Sequence, residues 1–218
     1  MSMFVKNWMT KDPITINIDA SIADAHETAR ENNIRHLPVM DGGKLVGIVS
    51  RGDLRDASPS DATTLSVHEL NYLFLKMTVK EIMTQHPFTV APDTTIEETA
   101  RRMREHRVEC MLVVDPKTGA LVGIITESDI FDVFLEAVGI HEKGCRLMVD
   151  VDHRPGQLLE LAKVIKKYEL NMLSFVALHA ADPEKRTMLI RLETDNADAL
   201  VAELQEMGYG VSVQYDQV

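Results

Sequence analysis

The chain predicts an α/β (α+β) protein in which a strand–helix–strand–strand–helix unit occurs twice, with pseudo-two-fold symmetry, ahead of a smaller domain of order βαββαβ. Three observations carry this reading. Val5-Lys6-Asn7-Trp8-Met9-Thr10-Lys11-Asp12-Pro13-Ile14-Thr15 returns as Val79-Lys80-Glu81-Ile82-Met83-Thr84-Gln85-His86-Pro87-Phe88-Thr89. Leu45-Val46-Gly47-Ile48-Val49-Ser50-Arg51-Gly52-Asp53 returns as Leu121-Val122-Gly123-Ile124-Ile125-Thr126-Glu127-Ser128-Asp129. Beyond Gly144 the apolar rhythm changes and neither motif recurs. Position 5 maps to 79 and position 45 to 121, so the second copy gains two residues within Asp115-Pro116-Lys117-Thr118-Gly119. A long repeat present only twice is not a solenoid, which needs several stacked units to bury its faces. Two copies instead pair about an axis and build two related clefts, an arrangement suited to binding.

The first copy occupies residues 1–56. Residues 13–18 predict a short strand, and Asp19-Ala20-Ser21 a turn into a helix whose Ile22, Ala25 and Ala29 share one face. Ser21 with Asp24, and Thr95 with Glu98 in the second copy, match the reciprocal capping pattern of a helix start. Asn32-Asn33 ends that helix. Leu37-Pro38-Val39-Met40, the turn Asp41-Gly42-Gly43 and residues 44–50 form a hairpin, and a final helix begins near Gly52. Residues 57–77 are a linker, rich in Ser, Thr, Pro and Asp at first. Its later part is amphipathic, with Leu70, Leu73, Phe74 and Met77 on one helical face. The second copy spans residues 78–138.

Residues 144–218 form the smaller domain. Leu147, Val149 and Val151 alternate with polar neighbours, the mark of a half-buried strand. Pro155 and Gly156 open a helix carrying Leu158, Leu161, Ala162 and Ile165. Residues 171–180 and 187–194 are strands joined at Asp182-Pro183-Glu184-Lys185. Residues 198–207 are helical with Gly208 as the stop, and residues 210–215 are a last strand. That order is the ferredoxin-like plan.

Composition excludes several functions. A net charge of -11 opposes non-specific binding to nucleic acid or an anionic membrane. Arg101-Arg102-Met103-Arg104 sits among acids and predicts a solvated helix face. The N-terminus lacks the apolar core of a signal peptide, and no apolar run is long enough to span a bilayer. Cys110 and Cys145 have no CxxC or histidine partner spacing, which fits reduced thiols and a cytoplasmic location.

The repeated Gly-Ile-(Val/Ile)-(Ser/Thr)-x-x-Asp carries the chemistry. Ser50 and Thr126 can cap helices whose first turns hold Asp53 and Asp129. The same geometry can hold a phosphate near the hydroxyl and the vicinal diol of a ribose on the carboxylate. Catalytic patterns are poor. Arg30 replaces the second histidine in His26-Glu27-Thr28-Ala29-Arg30, Ser128 and Ser174 lack a nucleophile-elbow setting, and Gly208-Tyr209-Gly210 follows a helix instead of a strand. His141-Glu142-Lys143-Gly144-Cys145 is a linker coincidence rather than a metal site. No catalytic residue and no metal are expected.

The pattern Met-Thr-x-x-Pro-x-Thr, a helix, a Val-x-Asp hairpin and then Gly-Ile-(Val/Ile)-(Ser/Thr)-x-x-Asp resembles a CBS motif, and two such motifs resemble a Bateman module. The tail resembles an ACT domain through His153-Arg154-Pro155-Gly156-Gln157-Leu158 and Leu170-Asn171-Met172. The order of the three is similar to the AcuB family, named for acetoin utilization. The resemblance implies adenine-nucleotide binding (AMP, ADP, ATP or S-adenosylmethionine) between the motifs. It places the ribose on Asp53 and Asp129 and phosphates near Ser50 and Thr126. It places the adenine against Thr89, Val90, Ala91 and Met111 opposite Asp53, and against Thr15, Ile16, Asn17 and Leu37 opposite Asp129. Arg51, facing phosphates, would favour the first of these sites.

An ACT ligand site would involve His153, Pro155, Gly156 and Asn171, although His153 stands where the family often has an acid. Gly156 also serves as a simple tight turn. A non-enzymatic regulator follows, acting as a homodimer because sheet edges gain from pairing and relaying to a regulated enzyme or transporter. The alternatives are an assembly scaffold with vestigial clefts and an enzyme with a site shared between subunits.

Overall fold

A computed structural model describes residues 3–57 and 77–216. The amphipathic stretch expected before Met77 lies outside the described residues. The chain divides into two compact units, Met1–Phe131 and Asp132–Val218.

In the first unit a 3-10 turn, Val5–Asn7, precedes β1 (Thr10–Lys11), β2 (Ile16–Asn17), α1 (Ile22–Glu31), β3 (His36–Asp41), β4 (Lys44–Ser50) and α2 (Arg51–Asp56). The second copy supplies α3 (Val79–Ile82), β5 (Thr84–Gln85), β6 (Thr89–Val90), α4 (Ile96–His106), β7 (Cys110–Val114), β8 (Leu121–Thr126) and α5 (Glu127–Ala137), the last running on into the second unit. Capping follows the sequence closely at α1, where Ser21 accepts from the Asp24 amide and the Asp24 carboxylate accepts from the Ser21 amide. At α4 only half of the box forms. Thr95 accepts from the Glu98 amide, but the Glu98 carboxylate turns to Arg101 and Arg102. Those hydrogen bonds, Arg101 first, hold its carboxyl down to about 2. The basic run is thus a solvated, ion-paired face.

The sheets do not follow the sequence copies. One has the order β2-β3-β4-β5 and the other β1-β8-β7-β6. The leading segment of each copy therefore crosses to the other. Thr10 pairs with Ile124 and Thr84 with Ile48, at equivalent positions. The Val5 amide donates to the Thr94 carbonyl and the Val79 amide to the Ala20 carbonyl, again equivalently. This exchange explains why Met-Thr and Gly-Ile are both doubled. A Cβ on Gly47 would lie 2.6 Å from Met83 Sδ and 3.1 Å from the Thr84 carbonyl oxygen. On Gly123 it would lie 2.5 Å from Met9 Sδ and 3.0 Å from the Thr10 carbonyl oxygen. Each glycine is the bed for the other copy's Met-Thr strand. The core of the first sheet packs Ile22, Ala25 and Ala29 of α1 on Leu37, Val39, Val49 and Leu54, with Val79 contributed by the crossing segment.

The second unit contains β9 (Cys145–Asp152), α6 (Gln157–Lys167), β10 (Met172–His179), β11 (Lys185–Leu192), α7 (Asp198–Glu206) and β12 (Gly210–Tyr215). Its antiparallel sheet has the order β10-β11-β9-β12. Alternate residues of β9, Cys145, Leu147, Val149 and Val151, are buried with Leu161, Val164 and Ile165 of α6 and Leu200 and Leu204 of α7. Both helices therefore cover the same face, as the period-two pattern demands.

Candidate functional site

Two clefts lie between the halves of the first unit. The Ser50 cleft has a volume of about 580 Å³. It is lined by Ile48, Ser50, Arg51, Gly52 and Asp53 from the first copy and by residues 84–88 and 108–110 from the second, with Arg35 and His36 at its edge. The Thr126 cleft has a volume of about 510 Å³. Its walls are Ile124, Thr126, Glu127, Ser128 and Phe131 against Thr10, Asp12, Pro13, Ile14 and residues 33–36, with Glu109 at its edge. Nearly every wall residue of one cleft has its repeat counterpart in the other. Arg35, His36 and Glu109 line both.

The motif hydroxyls and carboxylates are built alike. Ser50 donates to Asp53 Oδ2 through its amide at 2.8 Å and its hydroxyl at 2.7 Å, and its oxygen accepts from the Asp53 amide at 3.1 Å. Thr126 donates to Asp129 Oδ2 through its amide at 2.7 Å and its hydroxyl at 2.8 Å. Each cap uses one carboxylate oxygen, and Oδ1 takes no part in it. A capping role and a ligand role are therefore compatible on the same aspartate.

The backbone at the mouths is equally paired. Asp12 and His86 both hold left-handed conformations, φ 46° and 52°, as do Asn33 and Arg107 at 49° and 57°. Four non-glycine residues in this sparsely populated region, all at or next to cleft walls, indicate local strain held by the surrounding sheets. Phe88 in the Ser50 cleft stacks on His106 at 4.1 Å between ring centroids.

Burial controls protonation at the shared edge. His36 is pushed below the ordinary histidine value chiefly by desolvation, with Glu109 partly opposing this, its carboxylate 3.9 Å from His36 Nε2. The repeat counterpart Cys110 is pushed up to about 12, again chiefly by desolvation. Both shifts favour the neutral group.

The residues that the resemblance gives to the adenine are not among those lining the two cavities. Leu37 and Met111 are 1% and 2% exposed, and Val90 is likewise buried. On β3 and β7 alternate side chains point to opposite sides, so His36 and Cys110 reach the clefts while Leu37 and Met111 turn inward. Thr15, Ile16, Asn17, Thr89 and Ala91 lie just past the lining segments, residues 12–14 and 86–88. Ser50, Arg51, Asp53 and Thr126 line the clefts, and Asp129 is tied behind Thr126. The linings also hold residues outside the expected walls, among them Asp12, Pro13, Ile14, Arg35, His36, His86, Pro87, Phe88 and Glu109. The doubled Pro at 13 and 87 was a visible signal for two of these segments.

In the second unit Gly156 precedes α6 at φ 91°, the conformation a turn there requires. Pro155 stands beside it in the turn. The His153 amide donates to the Glu184 carbonyl, and Asn171 Nδ2 donates to Glu193 at 2.9 Å. Among the described residues no group of His, Cys, Asp and Glu is arranged to hold a metal, and no helix is long and apolar enough to cross a membrane.

The family model for the CBS domain matches residues 5–60 and 79–136. The chain belongs to the CBS domain family. It is 33% identical over 126 residues to inosine-5'-monophosphate dehydrogenase of Korarchaeum cryptofilum, covering 58% of this chain but only 23% of that enzyme. Among solved structures it is similar to a candidate acetoin utilization protein (AcuB) from Vibrio cholerae, with 30% identity, 65% of this chain and 96% of that one covered, and a TM-score of 0.52. CBSX2 in complex with AMP, a protein of Arabidopsis thaliana, matches at 30% identity over 62% and 97% of the two chains, with a TM-score of 0.50. The CBS domain pair of protein MJ0100, in complex with 5'-methylthioadenosine and S-adenosylmethionine, matches at 32% identity over 62% and 97%, with a TM-score of 0.51.

Proposed function

We propose that this CBS-pair protein is a regulatory ligand sensor and not an enzyme, taking AMP, ADP, ATP or S-adenosylmethionine in its two clefts. The observation that carries this is the twice-built cap: Asp53 lines the Ser50 cleft with an Oδ1 that the cap leaves unused, and Asp129 makes the same cap behind Thr126, which lines the other cleft. Such an oxygen can accept from a ribose diol, while Ser50 or Thr126 marks the phosphate side. The apolar Ile14 and Phe88 offer faces for a base. The AMP bound to CBSX2 and the adenosyl ligands bound to MJ0100 support the same ligand class.

The helix-covered sheet of the second unit supports a ferredoxin-like, ACT-type domain that dimerises or relays the signal. Its edge strands β10 and β12 suit pairing between copies in a cytoplasmic homodimer. A ligand switches the protein only if it binds two arrangements with different affinity. The structural likeness to AcuB is what favours a partner in acetoin utilization.

A thermal-shift series with adenosine, its phosphates and S-adenosylmethionine tests the sensor. At a hundredfold excess over Kd a ligand adds about 2.7 kcal/mol, which is a clear rise in Tm. No shift with any adenosine compound at millimolar concentration rejects the reading in favour of a scaffold.

A further inference from the structure

We infer that the two clefts take adenosyl ligands of opposite charge: the Ser50 cleft a phosphorylated adenosine, the Thr126 cleft an uncharged or cationic one such as a sulfonium. This rests on the adenosine-binding reading and adds which cleft binds which class. The clefts share Arg35, His36 and Glu109, so these three cannot distinguish them. The difference is concentrated at two equivalent pairs. Arg51 in the Ser50 cleft stands where the Thr126 cleft has Glu127, and His86 stands where it has Asp12. Among the formally charged wall residues, two arginines meet two carboxylates in the first cleft, whereas one arginine meets three carboxylates in the second.

The backbone does not blur this contrast. Asp12 and His86 hold the same left-handed conformation, and Arg51 and Glu127 are each the residue directly after the capping hydroxyl. The four side chains are exposed at the cleft walls, so the charges of Arg51, Glu127 and Asp12 are available to a ligand and replacing any of the four leaves the cores untouched. A charge of either sign within about 6 Å of a phosphate, even at an effective dielectric near 20, changes affinity by tenfold or more. The phosphate of AMP is therefore drawn to Arg51 and repelled by Glu127, while a sulfonium experiences the reverse.

Isothermal titration of the full chain with AMP and with S-adenosylmethionine tests this, using Arg51→Glu and Glu127→Arg. The wild type is expected to bind one equivalent of each per chain, without mutual displacement. Arg51→Glu should weaken AMP at least tenfold and leave S-adenosylmethionine within about threefold. Glu127→Arg should weaken S-adenosylmethionine and raise the AMP stoichiometry toward two. Circular dichroism checks that both variants stay folded, and double-charge variants at Asp12 and His86 repeat the test at the second pair. Equal losses for both ligands in both variants, or displacement of one ligand by the other in the wild type, overturn the charge assignment while leaving adenosine binding intact. A wild type that binds neither ligand overturns both readings.

Discussion

Copy one has Pro38 where copy two has Leu112, and the backbone responds. Leu112 donates its amide to the Phe88 carbonyl at 3.0 Å, and Thr89 joins β6 in register with Leu112. Pro38 has no amide hydrogen to offer the equivalent Ile14, so the pairing in copy one begins one residue later, at Ile16 with Val39. Apart from the half-formed box at α4, the copies keep matching caps at the motif aspartates, matching crossing segments and paired positive-φ residues. Their differences lie where side chains enter the clefts. Fold and cleft geometry are thus maintained by the repeated residues, while ligand choice is free to diverge at the unrepeated ones.

The largest test of this equivalence is Leu112→Pro. It removes the bond to Phe88 and a core side chain that is fully buried, and should cost about 3 kcal/mol or more by urea denaturation. The converse Pro38→Leu supplies a donor for Ile14 and should change stability by less than about 1.5 kcal/mol. Similar costs for both would mean that the missing bond does not distinguish the copies.

Gly123→Ala and Gly47→Ala probe the exchanged strands and should each cost about 1–3 kcal/mol through overpacking. The two costs should be similar, because each added Cβ meets an equivalent Met side chain and Thr carbonyl from the other copy. Shortening the neighbour in Gly123→Ala/Met9→Ala should couple favourably in a double-mutant cycle. Independent, additive effects would break the link between the doubled Met-Thr and doubled Gly-Ile motifs.

The smallest effect distinguishes His36 from Cys110. The folded value of His36 lies below 6.5, so the folded protein binds fewer protons than the unfolded chain between those values. Its contribution is complete above pH 6.5 and is lost as pH falls through the folded value. Glu109, Asp53 and Glu127 soften this loss and Arg35 deepens it. His36→Cys, which makes copy one resemble copy two, should flatten this part of the pH–stability curve. An unchanged slope in that variant would assign the acid sensitivity to other groups.

The sequence alone determined the duplication, the hairpins, the helix starts at Ser21, Ser50 and Thr126, and the capped aspartates that mark both clefts. These are local: a cap or a turn is decided by residues three or four apart. It also determined the change of rhythm after Gly144, since a half-buried strand must alternate. Tertiary structure alone decided that residues 3–11 and 77–85 exchange sheets. Identical motifs can pair within a copy or between copies with the same side chains, and only the three-dimensional closure selects one. It likewise decided which residues face the clefts. Leu37 and His36 are neighbours in the chain, but the pleat turns one into the core and leaves the other at the edge shared by both cavities.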